Sequence, residues 1–382
     1  MKLGNYILSF TFLIFIGSLF FGVLVRGENE VLDLEKRKAQ SLPDLNIGLD
    51  QFPIQFENFV NDQLLFRNDL IRIKSLISVF IFKNSPFPEK VSVGKDNWLF
   101  LKVENSLKIY KSDTLYTQQE LELLAQLLNQ KKNWLELKGI KFYLLIAPSK
   151  PEIYPEYVSE KWMRDENNIG IYEQIYKFLK DNTELNLVFP RKELLDYKEN
   201  KQLYYKFDTH WNSIGAWVAY SKLIDEIKLD FPEINPPLKQ HEISYSKGIK
   251  GDFDLLRMIN IPDLFTEEFE IPTTMNYSPA IKLDRPDYAG LSIFPGEFYI
   301  NKQATDLKLL MFRDSYAVDL IPYTSCHFSK STYIWSPLML WQTIYYEKPD
   351  VVVLQVTQRR ISDLFIPNDS VITNQIVPKK VF

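Results

Sequence analysis

Cysteine is almost absent from this sequence, since Cys326 is the only one among 382 residues. A single thiol excludes any intrachain disulfide. Histidine is nearly as scarce, and one cysteine with three histidines makes a poor ligand set for zinc. We therefore expect no metal and no cofactor, although a catalytic histidine is still available. The three histidines are His210, His241 and His327.

The chain also lacks a cluster of basic residues. Its 45 Lys and Arg residues are spread along the sequence and are outnumbered by 49 Asp and Glu residues, which gives a net charge of −4. This distribution argues against nucleic acid as the main partner. Hydrophobic residues make up 46% and charged residues 25%, so a packed globular core is expected and wholesale disorder is not.

The N-terminus carries one long uncharged run, from Tyr6 to Val25. An apolar helix of about 20 residues spans the roughly 30 Å hydrocarbon layer of a membrane. The residues after the run offer no small-x-small cleavage site. We interpret residues 1–27 as a retained signal anchor rather than a cleaved signal peptide. This interpretation predicts a single-pass protein of the cytoplasmic membrane whose remaining chain is extracytoplasmic, in the periplasm or at the cell surface.

The middle and end of the chain have the pattern of an α/β protein. Residues 28–85 are expected to form a linker and a helical stalk, because Phe52–Phe82 has apolar residues at helical spacing. Thr117 and Glu120 predict a capping box at the start of an amphipathic helix that Gly139 ends. Val91–Leu101 is expected as a hairpin, with Asn97 at a positive-φ turn position.

Short apolar runs predict the buried strands of a sheet. The candidates are Lys141–Ala147, Leu187–Phe189, Leu307–Phe312, Ser331–Trp335 and Val351–Val356, with helices at Ile171–Leu179 and Ile214–Ile227 between some of them. This order predicts one domain over residues 86–382, with a mostly parallel sheet flanked by helices.

The segment Tyr204–Trp217 contains Asp208 and His210, two residues apart, directly before a helix that Asn212 or Ser213 can cap. A histidine at a helix N-terminus feels the positive end of the dipole, which favours the neutral imidazole that a general base needs. A nearby carboxylate fixes its tautomer and stabilises the imidazolium that forms later. The alternative interpretation is a capped helix without catalytic function.

A second segment places Ser315 between the apolar strand Leu307–Phe312 and a short helix that begins near Ala317. Ligands bind at the carboxyl ends of strands in open α/β sheets. The N–H groups that open the helix can face a developing oxyanion. Here the alternative is that Asp314 or Ser315 only caps the helix. Together, Ser315, His210 and Asp208 supply a nucleophile, a base and an orienting acid.

Several segments resemble the alginate O-acetyltransferase family of SGNH-hydrolase-like proteins, and the resemblance runs from about Glu35 to the C-terminus. DTHW, from Asp208 to Trp211, is the most specific of them. The others are EKRKAQSLPDL (Glu35–Leu45), FENFVNDQLLFRNDLI (Phe56–Ile71), VGKDNWLF (Val93–Phe100), LLIAPSKPEIYPEY (Leu144–Tyr157) and KGDFDLL (Lys250–Leu256).

The resemblance implies an SGNH-like, flavodoxin-like fold in which the Asp-x-His motif precedes the serine, a circular permutation of the usual order. It assigns Asp208 as the orienting acid, His210 as the base and Ser315 as the nucleophile. It also implies acetyl transfer to an exported polysaccharide, with a membrane-bound O-acyltransferase supplying the acetyl group. One departure is that Arg313-Asp314-Ser315 stands where the family has Gly-Asp-Ser.

Five further residues are candidates for oxyanion or substrate binding. Four of them have a second interpretation: Arg313 either binds an anionic sugar or crowds the turn, and Trp211 either stacks on a sugar ring or belongs to the core. Lys150 either faces the cleft or is solvated, and Arg359 either lines the site or forms a surface ion pair. The fifth is Tyr316, next to the nucleophile.

Three functions stay open at this point. The first is an O-acetyltransferase that acts on a cell-surface or exported polysaccharide through an acyl-enzyme. The second is a carbohydrate acetylesterase, because the same triad serves both reactions and only the exclusion of water separates them. The third is a catalytically inactive polysaccharide-binding or assembly protein.

Overall fold

The computed structural model describes residues 2–25, 31–32, 37–44, 46, 48, 50–63, 67–165, 167–275, 279–285 and 294–367. The chain divides into two units, residues 1–86 with 257–262 and residues 87–256 with 263–382. Residues 26–30, which include the expected end of the anchor and start of the linker, lie outside the described residues, as do residues 35, 36 and 45 of the Glu35–Leu45 motif and residues 64–66 of the stalk. The expected boundaries at residues 27 and 85 stay predictions.

The first unit is mainly helical. It contains α1 (Lys2–Val25), α2 (Phe52–Gln63), α3 (Arg67–Leu76) and a π-helix (Ile77–Ile81), and the short strands β1 (Val31–Leu32) and β2 (Arg37–Lys38) pair antiparallel. Within the described residues, no helix has both the length and the hydropathy needed to cross a membrane.

The second unit contains a mixed sheet of seven strands. They are β5 (Lys141–Ala147), β6 (Asn186–Val188), β9 (Ile281–Leu283), β10 (Gly296–Ile300), β11 (Thr305–Arg313), β12 (Phe328–Trp335) and β13 (Val351–Thr357). Their order is β6-β5-β13-β11-β12-β10-β9; the pairs from β6 to β12 are parallel, and β10 and β9 are antiparallel. Two antiparallel pairs stand apart from this sheet, β3 (Val91–Val93) with β4 (Leu99–Leu101) and β7 (Ile243–Lys250) with β8 (Glu267–Met275).

Helices flank the sheet, and their ends follow local sequence signals. Thr117 and Glu120 form the predicted capping box, and Gly139 takes a φ of +74° after the helix. Asn97 adopts the positive φ expected of a hairpin turn. The helices are α4 (Ser106–Lys111), α5 (Gln118–Glu136), α6 (Lys150–Ile153), α7 (Ile171–Asn182), α8 (Arg191–Tyr197), α9 (Ser213–Asp230), α10 (Asp254–Met258), α11 (Ile321–Thr324) and α12 (Trp341–Glu347).

Apolar side chains cover both faces of the sheet. Because successive side chains point to opposite faces of a strand, Tyr143 and Met311 pack with Ile214 on one face. Phe142 and Leu310 pack on the other face with residues of α5 and α7. Burial on both faces explains why the central strands read as continuous apolar runs.

The order of the parallel strands explains the position of the site. Across the sheet the parallel strands lie in the order β12, β11, β13, β5 and β6. If β11 is numbered 1, β12 2, β13 3, β5 4 and β6 5, this order is 2-1-3-4-5, that of the flavodoxin-like fold. The chain thus has this topology in circularly permuted form. The switch point, where such folds bind ligands, lies between β11 and β13.

The sequence predicted the antiparallel hairpin of β3 and β4, but not the antiparallel strands β9 and β10 at the edge of the sheet or the pair β7 and β8. β10 and β9 are short, and β7 (ISYSKGIK) is mostly polar, so neither the apolar-run nor the alternation signal identified them. The sheet is mostly parallel as expected, but it has an antiparallel edge.

A buried glutamate joins three segments on the carboxyl side of the sheet. The Glu152 side chain is 1% exposed and accepts hydrogen bonds from Arg164 at 3.0 Å and from Arg191 at 2.8 Å. Gln358, directly after β13, donates to the same carboxylate at 3.1 Å. Hydrogen bonds and charge from Arg164 hold the pKa of Glu152 below its usual value, although burial alone raises it. This carboxylate therefore fixes α6 against the end of β13.

We predict that Glu152→Gln lowers the free energy of unfolding by about 3–5 kcal/mol, because two arginines lose the charge that compensates them in a buried site. Urea unfolding checks this value. Glu156→Gln is the matched control: Glu156 pairs with Lys198 but is 47% exposed, and the expected loss is within about 1 kcal/mol. If both variants lost the same free energy of unfolding, Glu152 would contribute no more to stability than an exposed ion pair.

Candidate active site

Asp314 shapes the turn that carries Ser315. It follows β11 and caps the 3-10 helix Ser315–Asp319, accepting a hydrogen bond from the Tyr316 N–H at 2.9 Å. Its carboxylate also accepts from Gln355 Nε2 at 2.9 Å and from the Thr357 N–H at 2.7 Å. Asp314 therefore ties the end of β11 to the end of β13 across the switch point, and it sets where Ser315 lies.

A second turn carries Asp208 and His210. An isolated bridge pairs Tyr204 with Trp211, so the residues between them form a closed loop. Asn212 caps α9 by accepting from the N–H groups of Ile214 at 3.0 Å and Gly215 at 3.1 Å. The cap is Asn212 rather than Ser213, which is the first residue of the helix.

The structure brings the three predicted side chains together. Ser315 Oγ lies 2.8 Å from His210 Nε2, and Asp208 Oδ1 lies 2.6 Å from His210 Nδ1. Asp208 Oδ1 also accepts from the His210 N–H at 3.1 Å. The side chain of Asp208 is 5% exposed and that of His210 is 24% exposed. This geometry suits proton transfer from the serine to the imidazole, with a carboxylate on the other ring nitrogen.

The charge on Asp208 is compensated by two groups. Burial alone raises the pKa of this carboxyl, but the hydrogen bonds from His210 and the charge of Lys250 hold the pKa well below its usual range. Lys250 Nζ lies 3.0 Å from Asp208 Oδ2 and over the Tyr205 ring. Asp208 is therefore ionised at neutral pH. The sequence did not single out Lys250, although it opens the recognised KGDFDLL element.

Asp254 is a second carboxylate beside His210. The sequence analysis did not single out this aspartate. It accepts from the Thr209 N–H at 2.9 Å and from Thr209 Oγ1 at 2.5 Å, and its Oδ2 lies 3.9 Å from His210 Nδ1. Burial and the neighbouring Asp208 raise its pKa. Asp254 thus holds Thr209, which precedes the histidine.

Asp208, His210 and Asp254 also lie close enough for their ligand atoms to surround a metal ion. We favour the triad interpretation, because the Lys250 ammonium already lies 3.0 Å from Asp208 Oδ2, where a ligand carboxylate would face the cation. In addition, both oxygens of Asp254 already accept hydrogen bonds from Thr209.

Lys150 has neither of its predicted positions. It is 2% exposed, and its ammonium donates to the backbone oxygens of Tyr205 at 3.1 Å, Lys206 at 3.1 Å and Asp208 at 2.6 Å. Burial lowers its pKa to about 8, opposed by the charges of Asp254 and Asp208. Lys150 is thus neither solvated nor turned to the cleft; it holds the backbone of the loop that carries Asp208.

Two other substrate-binding hypotheses need correction. Trp211 is fully buried, and its indole N–H donates to the Tyr316 backbone oxygen at 2.9 Å, so it cannot stack on a sugar ring and belongs to the core. Arg313 is only 4% exposed and pairs with Glu297 at 2.7 Å. Since Arg313 has no positive φ, the position does not require glycine, and the arginine does not crowd the turn.

Of the remaining two candidates, Tyr316 packs against the histidine and Arg359 packs against Tyr316. Tyr316 is buried, its hydroxyl donates to the Thr209 backbone oxygen at 2.5 Å, and its ring centroid lies 5.0 Å from that of His210. Arg359 forms an ion pair with Glu104 at 2.7 Å while its guanidinium lies over the Tyr316 ring. Both stabilise the walls of the site.

Comparison with known proteins identifies a matching family over part of the chain. The family described as "SGNH hydrolase-like domain, acetyltransferase AlgX" matches residues 91–267, a segment that includes Lys150, Asp208 and His210 but ends before Ser315. The resemblance to the alginate O-acetyltransferase family of SGNH-like proteins is confirmed. The fold of the second unit is accordingly an SGNH-like α/β fold with a mixed sheet flanked by helices.

Curated proteins similar to this chain include two probable alginate O-acetylases named AlgJ. The one from Pseudomonas aeruginosa is 27% identical over 216 residues, covering 53% of this chain and 51% of the relative. The one from Pseudomonas putida is 24% identical over 208 residues, with the same coverage. The chain therefore spans about half the length of the curated relatives it matches.

Among solved structures, the O-acetyltransferase domain of Pseudomonas putida AlgJ is similar with a TM-score of 0.46 and 17% identity. The match covers 73% of this chain and 94% of that domain. Because this TM-score is below 0.5, the similarity supports no conclusion about the function of the chain.

We predict that Lys150→Met lowers kcat for aryl acetate hydrolysis by roughly 100-fold while KM changes little, because the loop that positions Asp208 and His210 loses its buried donor. Steady-state kinetics checks this split between kcat and KM. Lys131→Met is the matched control: Lys131 is also buried with a pKa lowered to about 8, and it donates to the Ile366 backbone oxygen. It is expected to lose stability but keep kcat. A similar loss of kcat in both variants would show that Lys150 has no positioning function.

Proposed function

We propose that this protein is a serine-dependent O-acetyltransferase that acts on an exported or cell-surface polysaccharide. The observation that carries the proposal is the continuous hydrogen-bonded arrangement of Ser315, His210 and Asp208 at the switch point of the sheet. The AlgJ relatives, whose name concerns alginate, support a polysaccharide acceptor.

In the first half of the proposed reaction, Ser315 Oγ attacks the carbonyl carbon of an acetyl donor. His210 Nε2, 2.8 Å away, takes the serine proton, and the imidazolium is stabilised by Asp208 at Nδ1. When the bond to the leaving group breaks, His210 returns the proton to that group. The product is an acetyl ester on Ser315.

In the second half, a sugar hydroxyl gives its proton to His210 Nε2 as its oxygen attacks the acetyl carbon. The bond from the acetyl group to Ser315 Oγ breaks, and the proton returns to Ser315. Water in place of the sugar hydroxyl gives hydrolysis, so the esterase differs from the transferase only in which nucleophile reaches the ester.

The oxyanion formed in both halves needs N–H donors. Tyr316 N–H, one of the groups expected for this purpose, donates instead to Asp314 Oδ1. Ser315 N–H has no partner within the described part of the chain, and it opens the same helix. We assign Ser315 N–H to the oxyanion.

The supply of acetyl groups and the location of the protein are further parts of the proposal. The uncharged run Tyr6–Val25 supports anchoring in the cytoplasmic membrane with an extracytoplasmic catalytic unit. The family resemblance supports a membrane-bound O-acyltransferase as the source of the acetyl group. A neighbouring gene for such a protein is the observation that supports this pairing most directly.

We predict that Ser315→Ala lowers hydrolysis of a small aryl acetate by roughly 10³-fold or more, because no other group can form the acyl-enzyme. His210→Ala is expected to be nearly as inactive and the double variant scarcely worse, since the members of a triad act as a unit. The stability cost of Ser315→Ala is expected to stay within about 1 kcal/mol.

The control is Ser329→Ala, another partly exposed serine, which hydrogen-bonds to Asp306 and Leu307 at the far end of β12 and is expected to keep full activity. Retention of most activity by Ser315→Ala would exclude the serine mechanism. A wild type that is inert on every acetyl donor would favour the binding or assembly function, and hydrolysis without acetylated glycan would favour the esterase.

A further inference from the structure

Trp335 is a large aromatic residue at the surface, at the end of β12. Its side chain lies over the guanidinium of Arg313, 4.6 Å from the ring centroid, yet the residue is 41% exposed. Single exposed aromatic residues are common on proteins, so exposure alone carries little weight. Trp335 is of interest because it lies close to Ser315.

Trp335 and the nucleophile share an edge and a face of the sheet. In the parallel register of β11 and β12, Trp335 is the partner of Arg313, two residues before Ser315. Neighbouring strands lie about 4.8 Å apart, and two residues add at most roughly 7 Å. The Cα atoms of Trp335 and Ser315 are therefore within about 12 Å. Alternation along the strand puts Trp335 on the side of Tyr333, which packs in the same cluster as Tyr316.

The ring of Trp335 is held from behind. Arg313 covers one face of the ring and is itself fixed by Glu297 at 2.7 Å, and Glu297 is bound by Lys282 at 2.6 Å. An aromatic ring that is held in place loses little conformational entropy when a ligand binds. Trp335 is 41% exposed, and the face of an aromatic ring carries the negative potential of the π-system, which attracts the C–H groups of a pyranose ring.

The polar groups beside the ring fit the hydroxyls of a sugar. The Glu297 carboxylate is 26% exposed, but its oxygens already accept from Arg313, Lys282 and Tyr299, so it serves to hold Lys282 beside the ring. The Lys282 side chain is 60% exposed, and its ammonium carries further donors for a sugar hydroxyl besides the one given to Glu297. The Trp335 ring and the polar groups beside it could therefore bind one sugar unit next to Ser315.

We propose that Trp335, with Glu297 and Lys282, forms a subsite that binds a pyranose unit of the polysaccharide acceptor beside Ser315. The subsite rests on the proposed function for the identity of its ligand. The aromatic face positions the sugar, and the adjoining unit presents its hydroxyl to acetyl-Ser315. Arg313, which stands where the family has glycine, acts here as the support of the platform instead of contacting an anionic sugar.

The test uses de-acetylated alginate oligosaccharides as acceptor and an aryl acetate as donor. Trp335→Ala is expected to raise KM for the oligosaccharide, and its Kd measured by calorimetry, by about tenfold. Trp335→Phe keeps an aromatic face and is expected to stay within about threefold of the wild type. Trp341→Ala is the matched control, because Trp341 is 51% exposed but lies on α12, and it is expected to match the wild type.

Two results overturn the subsite: equal Kd values for the wild type and Trp335→Ala, or a wild type that binds no oligosaccharide. A Kd that rises in Trp335→Ala, while no acetyl group is transferred by any variant, supports the subsite and contradicts the proposed function. A transfer reaction whose KM is the same in both proteins supports the proposed function and contradicts the subsite.

Discussion

The position of Ser315 depends on the Asp314 carboxylate, which joins the ends of two central parallel strands. β11 and β13 are adjacent in the sheet, and Asp314 accepts hydrogen bonds from Gln355 and Thr357 at the end of β13. The same carboxylate caps the short helix that begins at Ser315. A buried carboxylate with this many donors holds its turn in one arrangement. The serine is thus positioned by the sheet itself, at the point where flavodoxin-like folds bind their ligands.

The histidine reaches the serine from a separate segment, and that segment is held by buried polar contacts. Lys150 donates to three backbone oxygens of the loop, Asp254 holds Thr209, and the Tyr316 hydroxyl binds the loop from the side of the nucleophile. Preorganisation of this kind is what acyl transfer requires, because small displacements of the base cost large factors in rate.

The sequence predicted the parts of the site that depend on local patterns. Strand, turn and helix signals placed Ser315 and His210 at strand and helix ends, and the topology then brought them together. Local patterns could not predict contacts between segments that are distant in the sequence. The carbonyl groups that surround Lys150 lie more than fifty residues away along the chain, so the lysine was interpreted as a loop residue. Arg313 was misread because its partner Glu297 is on β10, a short strand that the pattern did not reveal. Trp211 offered two interpretations, and its full burial selects the core.

The central claim is that acetyl groups pass through Ser315, and the most direct test is the mass of the trapped intermediate. The wild type is mixed with an aryl acetate, quenched in acid within the burst and digested for peptide mass analysis. Our account predicts one added acetyl group on the peptide that contains Ser315, and none on that peptide in Ser315→Ala. An acetyl group on another residue, or turnover without any acetylated peptide, would contradict the acyl-enzyme mechanism.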